Sequence, residues 1–436
     1  MKIPQPHETD MTTRPIPGPS RRTSLAGLFS AVLLFAAPGA DARTWTSADG
    51  SQTFEGELVS YDPENDAVRV TMTNGRTITF KQEVLSESDI EYLKSEGIRT
   101  GAGAGAANIG ELPDELPDPD GEPADLSQPV QVFILLGQSN MLGFGKISGG
   151  GDGSLEHAVK SKDLYPYLVD DEGNWTARKD VRNVRVMQQG GGMKLFNNEW
   201  MTITGGKIGP EIGIGHHLGY VLDAPVMILK SCIGNRSLGW DLLPPGIEAY
   251  EHDGKLNAGY GETPETAGSG EKHSGSGWYA GKQYDDDIAN AKKVLDDLKQ
   301  YYPDADDYEV AGFFWWQGDK DRYNAAHAER YETHLVQLIK QLRKDFDAPD
   351  AKFVCATLGQ TEKGAGGKDG AILEGTLAVD GETGDYPEFE GNVASVYSHP
   401  LSRGGASNGH YGGHAETYMN IGEAMGKAMV ELLRND

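Results

Sequence analysis

The chain has 436 residues, 38% of them hydrophobic and 24% charged, enough for one large soluble domain and a smaller companion. Its formal net charge of -27 argues against sequence-independent binding to nucleic acid or to anionic lipid, since both need clustered Lys and Arg. Two cysteines do not make a disulfide framework, and Cys232 and Cys355, each in or just after an apolar run, read as small buried hydrophobes rather than a bridge.

Residues 1–42 read as a signal peptide. Arg21 and Arg22 precede an apolar run at 25–37 that is too short to span a bilayer comfortably, and Ala40-Asp41-Ala42 offers the small residues a signal peptidase needs. The expectation is export to the periplasm or beyond, by a Sec or, given the two arginines, a Tat route. No later segment has the apolar length of a membrane helix.

Residues 43–97 form the first folded unit. Segments 54–61 and 67–72 alternate loosely, as half-buried strands do, and Asn74-Gly75 before Thr77 is a hairpin signal. Ser86 or Ser88 can cap a short helix that follows. With its Arg43-Thr44-Trp45-Thr46 opening and its Leu85-Ser86-Glu87 ending, the unit resembles a small SH3-like β-barrel of the Sla-homology type. Its ligand is unknown, and it carries no paired carboxylates or histidines for chemistry. Residues 98–127, first Gly/Ala-rich and then acidic and proline-rich, read as a linker.

Residues 128–436 change pattern. Continuous apolar runs at 130–136, 224–229, 310–316 and 352–357 read as strands covered on both faces, and helical patterns occupy 284–298, 325–346 and 415–433. Strands alternating with helices predict an α/β fold, a doubly wound and mainly parallel sheet whose reactive groups collect at the carboxyl ends of the strands. The residues that follow each run are therefore the candidates.

After the first run stands Gly137-Gln138-Ser139-Asn140-Met141, where Ser139 is either a nucleophile or a helix cap. After the second, Gly234 lets backbone approach a ligand or simply makes a turn. After the third, the Gln317 carboxamide can donate to an oxyanion or brace a loop. A histidine of the segment Asn408-Gly409-His410-Tyr411-Gly412-Gly413-His414, just before the last helix, can serve as the base that a serine hydroxyl needs, or be a surface or capping residue. Trp315 and Trp316 are adjacent in a strand and so point to opposite faces, which leaves one at most for a sugar. No His-Glu-x-x-His and no cysteine cluster marks a metal site, and no cofactor is implied.

Taken together, Gly137-Gln138-Ser139-Asn140-Met141, Ile208-Gly209-Pro210-Glu211, Lys230-Ser231-Cys232-Ile233-Gly234, Trp315-Trp316-Gln317-Gly318, His410-Tyr411 and Ala415-Glu416-Thr417-Tyr418 resemble the SGNH hydrolase superfamily. Within it they are similar to the sialate O-acetylesterase-like group, near carbohydrate esterase family six. The resemblance implies a flavodoxin-like fold and an exported carbohydrate O-acetylesterase whose partner is an acetylated glycan. It implies Ser139 as nucleophile and His410 as base, chosen over His414 by its spacing to Ala415. It also implies an oxyanion hole from the Ser139 and Gly234 N–H groups and the Gln317 side chain. Asn140, Arg236 and Trp316 are expected to face the substrate, with Trp240 nearby. Many members carry an aspartate three residues before the histidine, and here that position is Ser407. The acid is then absent or comes from Asp319, Asp321 or Glu388, with Asp319 favoured for its place just past Gln317. The alternative is a catalytically weak carbohydrate-binding or cell-surface protein that retains the fold.

Overall fold

The computed structural model describes residues 43–48, 50, 52–62, 67–72, 77–100 and 112–434, in two compact units that divide after residue 99. The expected signal peptide and the Asn74-Gly75 turn lie outside the described residues. Among the described residues, no helix is long and apolar enough to cross a membrane.

The N-terminal unit is a four-stranded antiparallel meander of Arg43–Thr46, Thr53–Asp62, Ala67–Met72 and Thr77–Lys81, followed by the helix Glu87–Thr100. Trp45 anchors its small core: the ring is fully buried beside Phe54 and Tyr92, and its indole N–H donates to the Gly56 carbonyl at 2.9 Å. Ser86 is the helix cap, its hydroxyl accepting from the Asp89 N–H at 3.3 Å. The Asp89 carboxylate in turn accepts from the Thr46 N–H and from Arg43, tying the first strand to the helix.

The larger unit is built on a seven-stranded sheet. Its order is Val393–Val396, Lys352–Ala356, Tyr308–Trp316, Val130–Gly137, Val226–Ser231, Ala177–Gln189 and Gly192–Thr202, parallel throughout except for the last pair. Successive residues of the central strand enter opposite cores. Phe133 and Leu135 pack with the helices Glu211–Val221 and Ala415–Arg434, whereas Val132, Ile134 and Leu136 pack with Lys282–Asp296 and Tyr331–Asp345. Trp316 joins the first core and Trp315 the second, as the alternation requires. Strand Val130–Gly137 sits where the chain stops adding strands on one side and begins on the other, which opens a crevice at its carboxyl end.

Part of the stretch expected to be a linker belongs to this unit. Leu116 is buried in its core, and the Asp125 N–H donates to the Asp223 carbonyl at 3.2 Å. Apolar residues in the acidic stretch outweigh the extended, self-repelling behaviour that its composition predicts. Cys232 and Cys355 are both free and buried in separate cores, and burial pushes each thiol up to about 12. A thiol reagent at neutral pH should therefore find no reactive cysteine in the native protein and two after denaturation, read by absorbance of the released thiolate.

Candidate active site

Ser139 opens a single helical turn, Ser139–Leu142, directly after the central strand. Gly137 makes the turn possible: its φ is +139°, and a Cβ there would lie 2.5 Å from the Trp316 carbonyl oxygen. Ser139 is 9% exposed. The turn is fixed from below by a buried ion pair, in which the Lys230 ammonium meets the Glu211 carboxylate at 2.5 Å and donates to the Leu142 carbonyl at 3.2 Å. Glu211 also accepts from the Gly209 N–H at 3.1 Å. Gly209 presses against Gly143, where a Cβ would come within 2.3 Å of its Cα.

Gly234 stands beside the serine. A Cβ placed on it would be 3.5 Å from the Ser139 Cβ, so its backbone runs along the serine side chain. Among the described residues, neither the Ser139 nor the Gly234 N–H donates a backbone hydrogen bond. Two open donors beside one hydroxyl suit a developing oxyanion.

Gln317 does not join them. Its amide nitrogen donates to the Arg236 carbonyl at 2.8 Å and to Asp321 Oδ2 at 2.6 Å, and its oxygen accepts from the Tyr331 hydroxyl at 3.0 Å. Both N–H groups are spent within the protein, which corrects the expectation of a third oxyanion donor. What Gln317 does instead is hold the Gly234 loop. Asp321, fully buried, completes that hold by accepting from the Leu238 and Gly239 N–H groups at 2.9 and 2.8 Å. Burial raises its carboxyl to about 6 against these hydrogen bonds. Gln138 adds a further tie, with its amide oriented to donate to the Arg236 carbonyl at 2.8 Å and accept from the Asp319 N–H at 3.1 Å.

Trp316 is also corrected. It is 0% exposed, its indole N–H donates to the Thr357 carbonyl at 3.1 Å, and its ring packs on Tyr411 and Tyr418. It shapes the floor and presents nothing to a substrate. Asn140 is likewise fully buried, with neither amide atom hydrogen-bonded among the described residues. Arg236 lies at the rim, donating to Gln283 Oε1 at 3.1 Å. Trp240 is half-buried in a side cluster with Leu243 and Ala280.

His410 lies in the turn Ser407–Gly413, which packs on the Ser139 helix, and its φ is +51°. Its ring stacks on Phe144 with centroids 3.9 Å apart, and the Lys207 ammonium lies 4.2 Å over the Phe144 ring. Among the described residues no hydrogen bond joins His410 to Ser139. Desolvation lowers the His410 pKa, Asp319 opposes that and Lys207 adds to it. Of the three candidate acids, Glu388 pairs with Lys340 at the surface at 2.9 Å and Asp321 is spent on the loop. Asp319 accepts from the Ser407 hydroxyl at 2.6 Å and from Arg322 at 3.3 Å. Ser407, three residues before His410, is thus bonded to a carboxylate from another loop.

One group of possible metal ligands is present among the described residues: Asp152, His414 and Glu416, with ligand atoms within 4.8 Å of one another. The Lys162 ammonium already bonds Asp152 at 2.7 Å and Glu416 at 2.6 Å, so the positive charge there is the protein's own.

Residues 265–431 match the family model for "Carbohydrate esterase, sialic acid-specific acetylesterase". The match takes in Gln317, Asp319 and His410 and leaves Ser139 and Gly234 outside it. Among curated proteins no match is found. Three solved structures are similar at low identity. A protein from Arabidopsis thaliana is 17% identical over 69% of this chain and 98% of its own, with a TM-score of 0.40. A carbohydrate acetylesterase from Xanthomonas citri is 13% identical over 91% and 69%, with a TM-score of 0.41. NanS is 14% identical over 62% and 78%, with a TM-score of 0.34.

Two measurements probe this geometry. Glu211→Gln leaves the Lys230 ammonium buried without its counter-charge and should cost about 3 kcal/mol of stability in urea unfolding. In an NMR titration, the His410 midpoint should lie below the usual histidine value. Removing the negative charge by Asp319→Asn should lower it further, and removing the positive charge by Lys207→Met should raise it.

Proposed function

We propose that the protein is an exported esterase that removes acetyl groups from glycans by a Ser-His mechanism. The observation that carries the reading is the pair of open N–H groups, from Ser139 and Gly234, set beside the Ser139 side chain at the carboxyl ends of two strands. The match of residues 265–431 to carbohydrate esterases supports the substrate class.

In this mechanism Ser139 Oγ attacks the ester carbonyl while His410 takes its proton, and the two N–H groups receive the oxyanion. Collapse returns the proton from His410 to the leaving sugar oxygen and leaves an acetyl-serine. Water, deprotonated by His410, then releases acetate and restores the serine. Asp319 acts on His410 through its charge and anchors the turn that carries it through the Ser407 hydroxyl, as the acid that favours the imidazolium. The mechanism requires His410 to reach Ser139 once substrate is bound, and catalytic hydrogen bonds are often long before that. The N-terminal unit is read as an SH3-like module outside this chemistry, and residues 1–42 as the export signal.

The missing Ser139–His410 hydrogen bond favours one other reading, a glycan-binding protein that keeps the fold without turnover. Purified protein beside Ser139→Ala, assayed with 4-nitrophenyl acetate and acetylated xylan, separates the two. Loss of at least about a thousandfold in kcat/KM is expected, the scale of removing a nucleophile. Equal rates in the two proteins would refute the assignment, and glycan binding without acetate release would establish the second reading.

A further inference from the structure

Among the described residues, few large apolar side chains stay open to solvent, and two of them neighbour arginines that are joined to residues of the candidate site. Trp278 is 42% exposed and Tyr323 is 61% exposed. Each is tied to the site through an arginine. The Arg236 guanidinium lies 4.8 Å over the Trp278 ring, while the Arg236 carbonyl is gripped by Gln317 and Gln138 two residues past Gly234. The Arg322 guanidinium lies 5.8 Å over the Tyr323 ring and bonds both Asp319 and Asp369. Two different loops thus each carry one open aromatic ring whose arginine neighbour is joined to the site.

Trp278 is also held in place. Its loop is gathered by the Glu262 carboxylate, which accepts from the N–H groups of Gly259, Gly268 and Gly270 at 2.8, 3.0 and 2.8 Å. On one side of Trp278, the Gly277 N–H donates to His273 at 3.1 Å. On the other, the Tyr279 hydroxyl donates to Asp285 at 2.6 Å, and the Gly281 N–H to the Trp240 carbonyl at 2.7 Å. An aromatic ring left open on a loop so firmly ordered leaves apolar area in water that a ligand can cover without ordering cost. Arginine covers one face of the indole, and its partial positive charge suits the electron-rich ring.

We propose that Trp278, with Tyr323, forms a sugar-stacking subsite that takes the units flanking the acetylated one in an uncharged polysaccharide chain. The hydrogen-bearing face of a pyranose is apolar and slightly positive, so it stacks on an aromatic face. An uncharged chain fits the net charge of -27, which repels acidic polymers at long range. This rests on the esterase reading and sharpens it, from an acetylated sugar to an acetylated sugar within a chain.

The test uses the full chain and O-acetylated xylan, mannan and β-1,4-glucan oligosaccharides of one to six units. Expected is a kcat/KM that rises with length, by roughly tenfold in total, through a falling KM and a steady kcat, the scale of one aromatic contact. Trp278→Ala abolishes that rise, and the conservative Trp278→Phe keeps most of it. Calorimetry with the same oligosaccharides stripped of acetyl groups reads the subsite without chemistry, and should show the same length dependence and the same loss. No length dependence in any of the three series, or a length dependence unchanged in both Trp278→Ala and the Trp278→Ala/Tyr323→Ala double variant, overturns the proposal. Because the esterase reading is decided by Ser139→Ala on 4-nitrophenyl acetate, the two ideas fail separately.

Discussion

Much of the site depends on one buried carboxylate. Asp321 has no exposed surface, yet it receives hydrogen bonds from Leu238, Gly239 and Gln317. Without them a buried carboxylate would be expensive, and with them it becomes a fixed point around which two loops are arranged. Gln317, held by Asp321 and Tyr331, turns its remaining N–H to the Arg236 carbonyl and so sets the path of the segment containing Gly234. The position of the Gly234 N–H beside Ser139 is thus a consequence of a carboxylate on a different strand end. Burial raises that carboxyl to about 6 even with three donors on it, so desolvation outweighs the hydrogen bonds in setting its proton affinity.

The second support is the Lys230–Glu211 pair. It lies under the Ser139 turn and satisfies the Leu142 carbonyl, one of the acceptors a one-turn helix leaves open. Opposite charges at that depth give direction as well as cohesion, because both partners must keep their hydrogen bonds for the burial to be tolerable. The nucleophile turn and the Gly234 loop are therefore each fastened by buried polar groups rather than by apolar packing alone.

These supports explain which parts were legible in the sequence. The four central strands announce themselves as apolar runs, because a parallel strand covered on both faces has no polar side to show. The hairpin Ala177–Gln189 and Gly192–Thr202 does not, since its arginines, asparagines and lysines interrupt any apolar run. Helix Glu211–Val221 is buried on nearly every side, so it lacks the amphipathic period by which helices are recognised. The strand ends single out Ser139, Gly234 and Gln317, and the structure sets Gly234 beside Ser139 while Gln317 turns inward. Whether an amide faces a ligand or a carbonyl is decided by neighbours far apart in the chain, and so the partners that turn Gln317 away from the oxyanion are not legible in the sequence. Trp278 was missed for the same reason: its exposure is a property of the folded loop.

Ser407 shows the limit most clearly. Read along the chain, a serine three residues before the histidine, where the resemblance implies an aspartate, looks like a lost acid. In space the Ser407 hydroxyl meets Asp319, so a carboxylate is present at the turn that carries His410, delivered from the loop after Gln317. Its charge is only partly answered. Arg322 spends its two short bonds on Asp369, at 2.7 and 2.9 Å, and approaches Asp319 only to 3.3 Å. A carboxylate engaged by one hydroxyl and one distant guanidinium keeps enough field to act on a neighbouring imidazole, whereas a bidentate pair with Arg322 would have quenched it. The division of Arg322 between two aspartates is thus what leaves Asp319 able to oppose the desolvation of His410.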